Sequence, residues 1–357
     1  MKIAGRDILL PTTMVGSWPR PLWLRGGVLR ESPYDVDFPD MYQRTLFEDA
    51  VRLAVKDQDL AGLDIVTDGN QYFEGETPYD KIQMLLVPLR LHGFRGYGPP
   101  GSVPGMEQYF RPVVHDRVRW VRPIFGPVLG AVRIATDKPF KININAGPAT
   151  VATWCDDQWY GDDTALRADV ADAFNRELRS LADHGADVIQ LTEQTYIASG
   201  GREEWALEVM NRAAHGVDAP LVWHMCYGNA REFDCAYPEV NAACLAKLFA
   251  STREVSWHEI HLETARPAMA EMELLAGWLD RADTVLGIGV VEVMSPRVET
   301  AEDVAARIRT ALQHVPADRL VVSTDCGLYQ LPRDVAFRKL RALVQGTHLV
   351  RSSLTRP

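Results

Sequence analysis

The chain has 357 residues, of which 46% are hydrophobic and 24% are charged, so it suits either one large α/β barrel or two smaller globular domains. The net charge of −10, without a basic run interleaved with aromatics, argues against a nucleic-acid partner. No apolar signal segment opens the chain and no stretch of 18 apolar residues follows. We therefore expect a soluble cytoplasmic protein without a membrane partner. Five cysteines are too few for a disulfide framework.

Short apolar runs, several rich in Val and Ile, alternate along the chain with amphipathic stretches of helical period. The strand predictions are Thr12–Ser17, Asp64–Gly69, Phe140–Gly147, Asp187–Glu193, Leu221–Cys226, Glu259–Glu263, Thr284–Met294 and Arg319–Cys326. The helix predictions are Tyr42–Ala61, Asp163–His184, Pro238–Ser251, Ala268–Arg281, Thr300–Gln313 and Arg333–Val344. Eight apolar strands that alternate with helices predict an α/β protein, a single parallel (β/α)8 TIM barrel over residues 1–357.

One segment, Gln71–Lys138, is too long for a simple connection between a strand and the next helix. It contains Gly and Pro clusters followed by a β-like run at Val118–Ile134. Because long loops inside compact domains tend to be functional, we interpret residues 71–138 as an insertion that carries a hairpin or a small lid near the barrel mouth.

Chemistry in such barrels lies where strands lead into the following loops, and these positions carry unusual residues here. His224 and Cys226 end one predicted strand on the same face, because strand side chains alternate with period two. Glu263 ends the next strand and Cys326 lies two strands further on. Each residue alone is more often a core or surface side chain. Two cysteines, one histidine and one carboxylate together form a credible tetrahedral zinc set.

The chain carries six characteristic motifs: TTMVGSWPR near the start, GPATVATW at 147–154, WHMCYGN at 223–229, IHLETARP at 260–267, EVMSPR at 292–297 and STDCGL at 323–328. Together they resemble cobalamin-independent methionine synthase, specifically its C-terminal catalytic barrel. The resemblance implies that His224, Cys226, Glu263 and Cys326 bind Zn²⁺. It also implies that an incoming thiol joins the metal, loses its proton and becomes the nucleophile.

Three positions depart from the family pattern. The glutamate and the aspartate that hold the homocysteine ammonium in the family are replaced by Asn70 and Thr192. The histidine thought to protonate the folate leaving group is replaced by Met294, which cannot transfer a proton. Losing two carboxylates leaves a buried ammonium poorly compensated. These departures argue against homocysteine as the acceptor and against methyltetrahydrofolate as the donor.

The profile is similar to that of the epoxyalkane:coenzyme M transferases, in which a thiolate opens an epoxide. Coenzyme M has no ammonium, and its sulfonate needs cations such as Arg20, Lys141 or Arg297, although Arg20 and Arg297 suit structural salt bridges equally well. The proton for the alkoxide would come from one of three residues: Glu193, Tyr227 or Asp325. Ser17, at a strand end, and Trp154 complete the predicted substrate-binding positions.

The leading hypothesis from the sequence is therefore a zinc-dependent transferase that alkylates a small-molecule thiol, with epoxide and coenzyme M as substrates. The first alternative is a core cobalamin-independent methionine synthase that methylates homocysteine from methylfolate, methylcobalamin or another methyl donor. The second alternative is a zinc-containing protein that binds a small molecule without catalysis. The sequence does not indicate an oligomeric state.

Overall fold

A parallel barrel forms the body of the protein. The computed structural model describes residues 2–3, 5–27, 41–71, 87–100, 110–227, 242–251, 257–270, 272–279 and 284–354. The strands are β1 (Lys2–Ile3), β2 (Arg6–Asp7), β3 (Val66–Thr67), β4 (His92–Pro100), β5 (Phe110–Arg119), β6 (Phe140–Ile144), β7 (Asp156–Asp157), β8 (Val188–Thr192), β9 (Leu221–Met225), β10 (Glu259–Leu262), β11 (Val285–Val291) and β12 (Leu320–Thr324). Seven of these described strands pair in parallel in the order β12-β11-β10-β9-β8-β6-β3.

Helices follow the barrel strands in the order expected of a (β/α)8 fold. They are α1 (Leu22–Gly27), α2 (Met41–Ala61), α3 (Gly126–Ala135), α4 (Pro148–Trp154), α5 (Asp163–Asp183), α6 (Thr195–Ala198), α7 (Trp205–Ala214), α8 (Ala242–Ser251), α9 (Met272–Leu279), α10 (Ala301–Leu312) and α11 (Arg333–Leu354), with a 3₁₀ turn at Ala317–Arg319. Among the described residues, no helix combines the length and the apolar character needed to cross a membrane.

The segment that begins at Thr12 occupies the eighth strand position of the barrel. It lies between β12 and β3 and closes the sheet. Thr12 forms a parallel bridge with Val322 of β12. On the other side, its carbonyl accepts the N–H groups of Asp64 and Ile65, just before β3. Each of the eight predicted strand positions is therefore occupied by barrel backbone, and the predicted fold class is confirmed.

The predicted helix boundaries agree within one residue at α2, α5 and α10, whereas the helix predicted from Ala268 begins only at Met272. Gly62 and Gly185 end α2 and α5 at φ +97° and +84°, where a side chain would be strained. The last helix continues to Leu354, well beyond Val344. The β-like run predicted at Val118–Ile134 is wrong beyond its first two residues, because β5 ends at Arg119 and α3 occupies Gly126–Ala135.

The reason for that error lies in the local sequence. Pro127 falls in the first turn of α3, where its fixed φ favours a helix start. Val132 then lies one helical turn after Val128 and Leu129, and all three residues are buried. Their Val-rich composition is typical of a strand, but their spacing is that of a helix.

The segment between β3 and α3 contains an antiparallel pair. β4 pairs with β5, and β5 pairs in parallel with the short β7, which forms a three-stranded sheet apart from the barrel. The buried carboxylate of Glu177 anchors the chain after this sheet, since it accepts the N–H groups of Ile124 and Phe125. Residues 72–86 and 101–109 lie outside the described part of the chain, and the assignment of a lid remains a prediction.

The barrel strands are buried on both faces, but the two faces differ in chemistry. Most apolar residues of β6, β8, β9 and β10, such as Ile142 and Leu191, belong to the main hydrophobic core with the helices. A small second cluster consists of Ile65, Val188 and Val222, near the amino ends of three strands. The alternating positions beyond it are polar and buried, and they lead towards the carboxyl ends of the strands.

Candidate metal centre

Four side chains converge at the carboxyl ends of the barrel strands. One ligand atom from each of His224, Cys226, Glu263 and Cys326 lies within 4.8 Å of the others. The two sulfur atoms are 3.9 Å apart. Two sulfurs bound at about 2.3 Å to a tetrahedral zinc ion would lie about 3.8 Å apart. The described residues therefore fit a zinc ion both in the type of donor and in spacing.

Strand geometry explains why these residues meet. His224 and Cys226 are two residues apart at the end of β9, so both point to the same side of the sheet. β10 runs parallel to β9, and Glu263 follows it directly. The Tyr227 N–H donates to Oε1 of Glu263 at 2.7 Å, which holds this carboxylate beside the end of β9.

The electrostatics of the cluster favour a bound cation. The pKa of Cys326 lies well above its usual range because of its contact with Cys226, its burial and the charge of Glu263. Burial lowers the pKa of His224 and keeps the imidazole neutral, as a metal ligand must be. A divalent cation at the centre would offset the repulsion between the two thiolates and the carboxylate.

A second histidine, His261, contacts the ligand His224 inside the barrel. Its Nδ1 lies 2.7 Å from Nδ1 of His224, and both side chains are fully buried. Burial lowers the pKa of His261 well below its usual value, and His224 and Lys141 lower it further. The sequence reasoning missed this residue. The signal was present in the His-Leu-Glu triplet, because period-two alternation places His261 on the same face as Glu263.

A polar layer lies deeper in the barrel. Lys141 is fully buried, and its Nζ donates to Oε1 of Gln190 at 2.7 Å. Glu259 is buried close enough to interact electrostatically with this ammonium. Burial lowers the pKa of Lys141 to about 8 and raises that of Glu259 to about 7. Lys141, named above as a cation for a sulfonate, is thus engaged at the second residue of β6 rather than at a strand end.

The three residues named as proton donors have different surroundings. Glu193 accepts hydrogen bonds from the backbone and hydroxyl of Thr150 and from the backbone of Thr195. Asp325 accepts the N–H groups of Ala265 and Arg266, while burial raises its pKa to about 7. The side chain of Tyr227 is buried directly after the metal-site strand.

The predicted substrate-binding residues differ in exposure. Five of them are buried, namely Ser17, Arg20, Asn70, Trp154 and Thr192. Met294 is partly buried against the main core. Arg297, by contrast, has 78% of its side chain exposed and pairs with Asp303 at the surface. The structure therefore shows the salt-bridge role that the sequence analysis allowed for Arg297.

The described part of the chain contains two cysteines besides Cys226 and Cys326. Cys155 and Cys244 are buried, and burial raises the pKa of both thiols. Both therefore stay protonated and poorly nucleophilic near neutral pH. Cys235 lies outside the described residues.

Comparison with known proteins places these observations in a family. The family model described as "Cobalamin-independent synthase, Catalytic domain" matches residues 10–348. A methionine synthase from Saccharolobus solfataricus is 33% identical over 98% of this chain and 97% of its own length. One from Sulfurisphaera tokodaii is 31% identical, over 97% and 94% respectively.

A solved structure agrees with these sequence matches. A B12-independent methionine synthase from a Shewanella species superimposes with a TM-score of 0.82 at 27% identity, over 97% of this chain and 99% of that one. A methyltransferase from Methanosarcina mazei, 15% identical with a TM-score of 0.58 over 98% and 96%, shares the fold. The chain belongs to the catalytic-domain family of cobalamin-independent methionine synthases, and it is a zinc-dependent methyltransferase that acts on a thiol.

Proposed function

We propose that the protein transfers a methyl group to the sulfur of homocysteine. The observation that carries the proposal is the convergence of His224, Cys226, Glu263 and Cys326 within 4.8 Å at the barrel mouth. Zinc bound there would lower the pKa of an incoming thiol and supply a thiolate at neutral pH. The chain's own part is to hold the four donors, exclude water by burial and orient the substrate.

The relatives support homocysteine over coenzyme M. The relatives cited above at 27%, 31% and 33% identity are methionine synthases, and none of them is named for an epoxide or for coenzyme M. The Shewanella structure was determined in complex with selenomethionine, which is the selenium analogue of the product that we propose. The methionine synthase alternative therefore leads over the coenzyme M hypothesis.

We further propose that neutral side chains bind the amino-acid end of homocysteine. The side-chain oxygen and nitrogen of Asn70 are fully buried and have no hydrogen-bond partner among the described residues. Leaving such a group unpaired costs about 1–3 kcal/mol, so a ligand that pairs with it recovers that energy. The Oδ1 of Asn70 can accept from an ammonium group, and its Nδ2 can donate to a carboxylate.

Thr192 contributes to the same region through a fixed neighbour. The Oγ1 of Thr192 donates to Oδ1 of Asn143 at 3.0 Å, and this Asn143 oxygen also accepts from Nε2 of Gln190 at 2.8 Å. An amide group and a hydroxyl therefore stand at the positions where the family has carboxylates for the substrate ammonium. We expect a weaker hold on the substrate ammonium than a carboxylate pair would give, and hence a higher KM rather than a different acceptor.

The experiment is calorimetric titration of the zinc-loaded protein with homocysteine and with coenzyme M, in buffers of different ionisation enthalpy. Binding of a thiol to the metal releases a proton, and the buffer dependence of the heat counts it. We expect homocysteine to bind with proton release and coenzyme M to bind more weakly or not at all. Proton-releasing binding of coenzyme M alone would overturn the proposal.

Turnover and a ligand variant complete the test. Each methyl donor, namely methylfolate, methylcobalamin and small methylated compounds, is incubated with enzyme and homocysteine, and methionine is detected by mass spectrometry. Cys326→Ser is expected to lower zinc content and methionine formation together. Cys155→Ser, which changes a buried cysteine outside the cluster, is the matched control and should retain both. Full zinc content and full turnover in Cys326→Ser would refute the site assignment.

A further inference from the structure

Two histidines on neighbouring strands form a direct hydrogen bond beneath the proposed zinc site. His224 of β9 and His261 of β10 are register partners in the parallel sheet, so their side chains leave the backbone side by side. Their Nδ1 atoms are 2.7 Å apart, and the ring centroids are 4.8 Å apart with the planes tilted by 56°. Both residues are 0% exposed.

The bond determines which nitrogen of His224 faces the metal. With Nδ1 engaged by His261, the lone pair available to a cation is on Nε2. A neutral imidazole that coordinates through Nε2 carries its proton on Nδ1, so His224 donates and His261 accepts. A metal-ligating histidine commonly has such an outer partner for its second nitrogen, usually a carboxylate, a carbonyl or water. Here the partner is a second imidazole.

The position of the His261 ring is fixed by its surroundings. Gly287 on β11 is paired with His261, and a Cβ at this glycine would lie 2.8 Å from Cδ2 of the ring. The imidazole therefore fills the space that the missing side chain leaves. On the other side it contacts the ring of His224. A ring packed between two strands in this way presents Nδ1 in one direction.

We propose that His261 is a positioning residue for the metal, which accepts the Nδ1 proton of His224 and thereby presents Nε2 of His224 to zinc. This inference rests on the proposed zinc site, and it extends to a residue outside the four ligands. His261 acts through His224 and does not itself touch the substrate. Its removal should therefore weaken metal binding before it changes any step that involves the thiol.

The first experiment measures zinc affinity by competition with a chromophoric chelator, without any turnover. We expect His261→Leu, which removes the acceptor, to weaken zinc binding about 10- to 100-fold. His261→Asn keeps an acceptor atom at the Nδ1 position and should restore most of the affinity. His258→Leu, three residues earlier in the same segment and outside the cluster, is the matched control and should bind zinc like the parent. Equal affinity in the parent and in His261→Leu would overturn the inference.

The second experiment uses the parent protein and so does not depend on the folding of a variant. Long-range ¹⁵N–¹H correlation spectra of the zinc-loaded, histidine-labelled protein report which ring nitrogen carries the proton. We expect His224 protonated on Nδ1 and His261 protonated on Nε2. Protonation of His261 on Nδ1 would refute the inference. A parent protein that binds no zinc at all would instead refute the proposed function, so the two failures are distinguishable.

Discussion

Replacing Glu193 tests whether its carboxylate is a proton donor or a structural anchor. Three donors point at it: the Thr150 N–H at 2.7 Å, the Thr150 hydroxyl at 2.8 Å and the Thr195 N–H at 2.7 Å. Thr150 lies in the first turn of α4, and Thr195 is the first residue of α6. The carboxylate therefore joins the end of β8 to the amino ends of two helices, where a negative charge is favourable.

The magnitude follows from these three bonds. Hydrogen bonds to a charged group contribute about 1.5–3 kcal/mol each, so Glu193→Ala removes about 4.5–9 kcal/mol from a domain whose total stability is of order 5–15 kcal/mol. Glu193→Gln is gentler. Its carbonyl can still accept from the Thr150 hydroxyl and the Thr195 N–H, while its NH2 group opposes the Thr150 N–H. We expect Glu193→Gln to cost about 2 kcal/mol.

The assay is urea unfolding followed by circular dichroism, paired with kcat at saturating substrates. We expect a lower urea midpoint for Glu193→Gln and a kcat within tenfold of the parent. Glu208→Gln, which changes an exposed carboxylate on α7, should stay within about 0.5 kcal/mol. An unchanged midpoint together with a kcat lowered a hundredfold or more would show that Glu193 acts on the reacting atoms, and the anchoring interpretation would fail.

Three further predictions concern the substrate, the pH dependence and the packing. Asn70→Asp adds a charge for the ammonium and should lower the KM for homocysteine about tenfold, measured by steady-state kinetics. Burial raises the pKa of Glu259 to about 7. As pH rises from about 4.5, the unfolded chain loses a proton that the folded chain keeps, so the free energy of unfolding falls towards pH 7. Glu259→Gln should make the urea midpoint less dependent on pH over that window. A Cβ at Gly289 would overlap Oδ1 of Asp325, so Gly289→Ala should lower the free energy of unfolding by about 1–3 kcal/mol and weaken zinc binding. Gly130→Ala, on a helix with open space around it, should raise the free energy of unfolding by about 0.5–1 kcal/mol.

The sequence was sufficient for the barrel and for the four proposed ligands because both depend on local periodicity. Alternation places His224 with Cys226, and the rule that barrel chemistry lies at carboxyl strand ends adds Glu263 and Cys326. The sequence could not show what the other polar residues contact. Glu193 lies at a strand end like the ligands, and its hydrogen bonds to α4 and α6 appear only when the helices are placed in space.

The substrate prediction illustrates a different limit. Asn70 and Thr192 were interpreted as evidence against homocysteine because they remove two carboxylates from the family pattern. That argument treated the charge of a site as decisive for which ligand it accepts. The structure shows a buried amide at Asn70 with its polar atoms unpaired among the described residues, and such a group can hold an ammonium without charge. We therefore expect a neutral pocket to weaken the affinity for homocysteine before it changes which acceptor the site binds.

The polar layer inside the barrel has a physical origin in the absence of side chains on one strand. Gly287 and Gly289 lie two residues apart on β11, so both turn the same face towards the barrel interior. A Cβ at the first would meet Glu259 and His261, and a Cβ at the second would meet Asp325. Burying these polar groups is costly unless each has a partner. The face of β11 that lacks side chains gives these polar groups room. The glycine at 287 leaves space for His261 beside the proposed metal site. The glycine at 289 leaves space for the backbone of Asp325, which leads to the ligand Cys326.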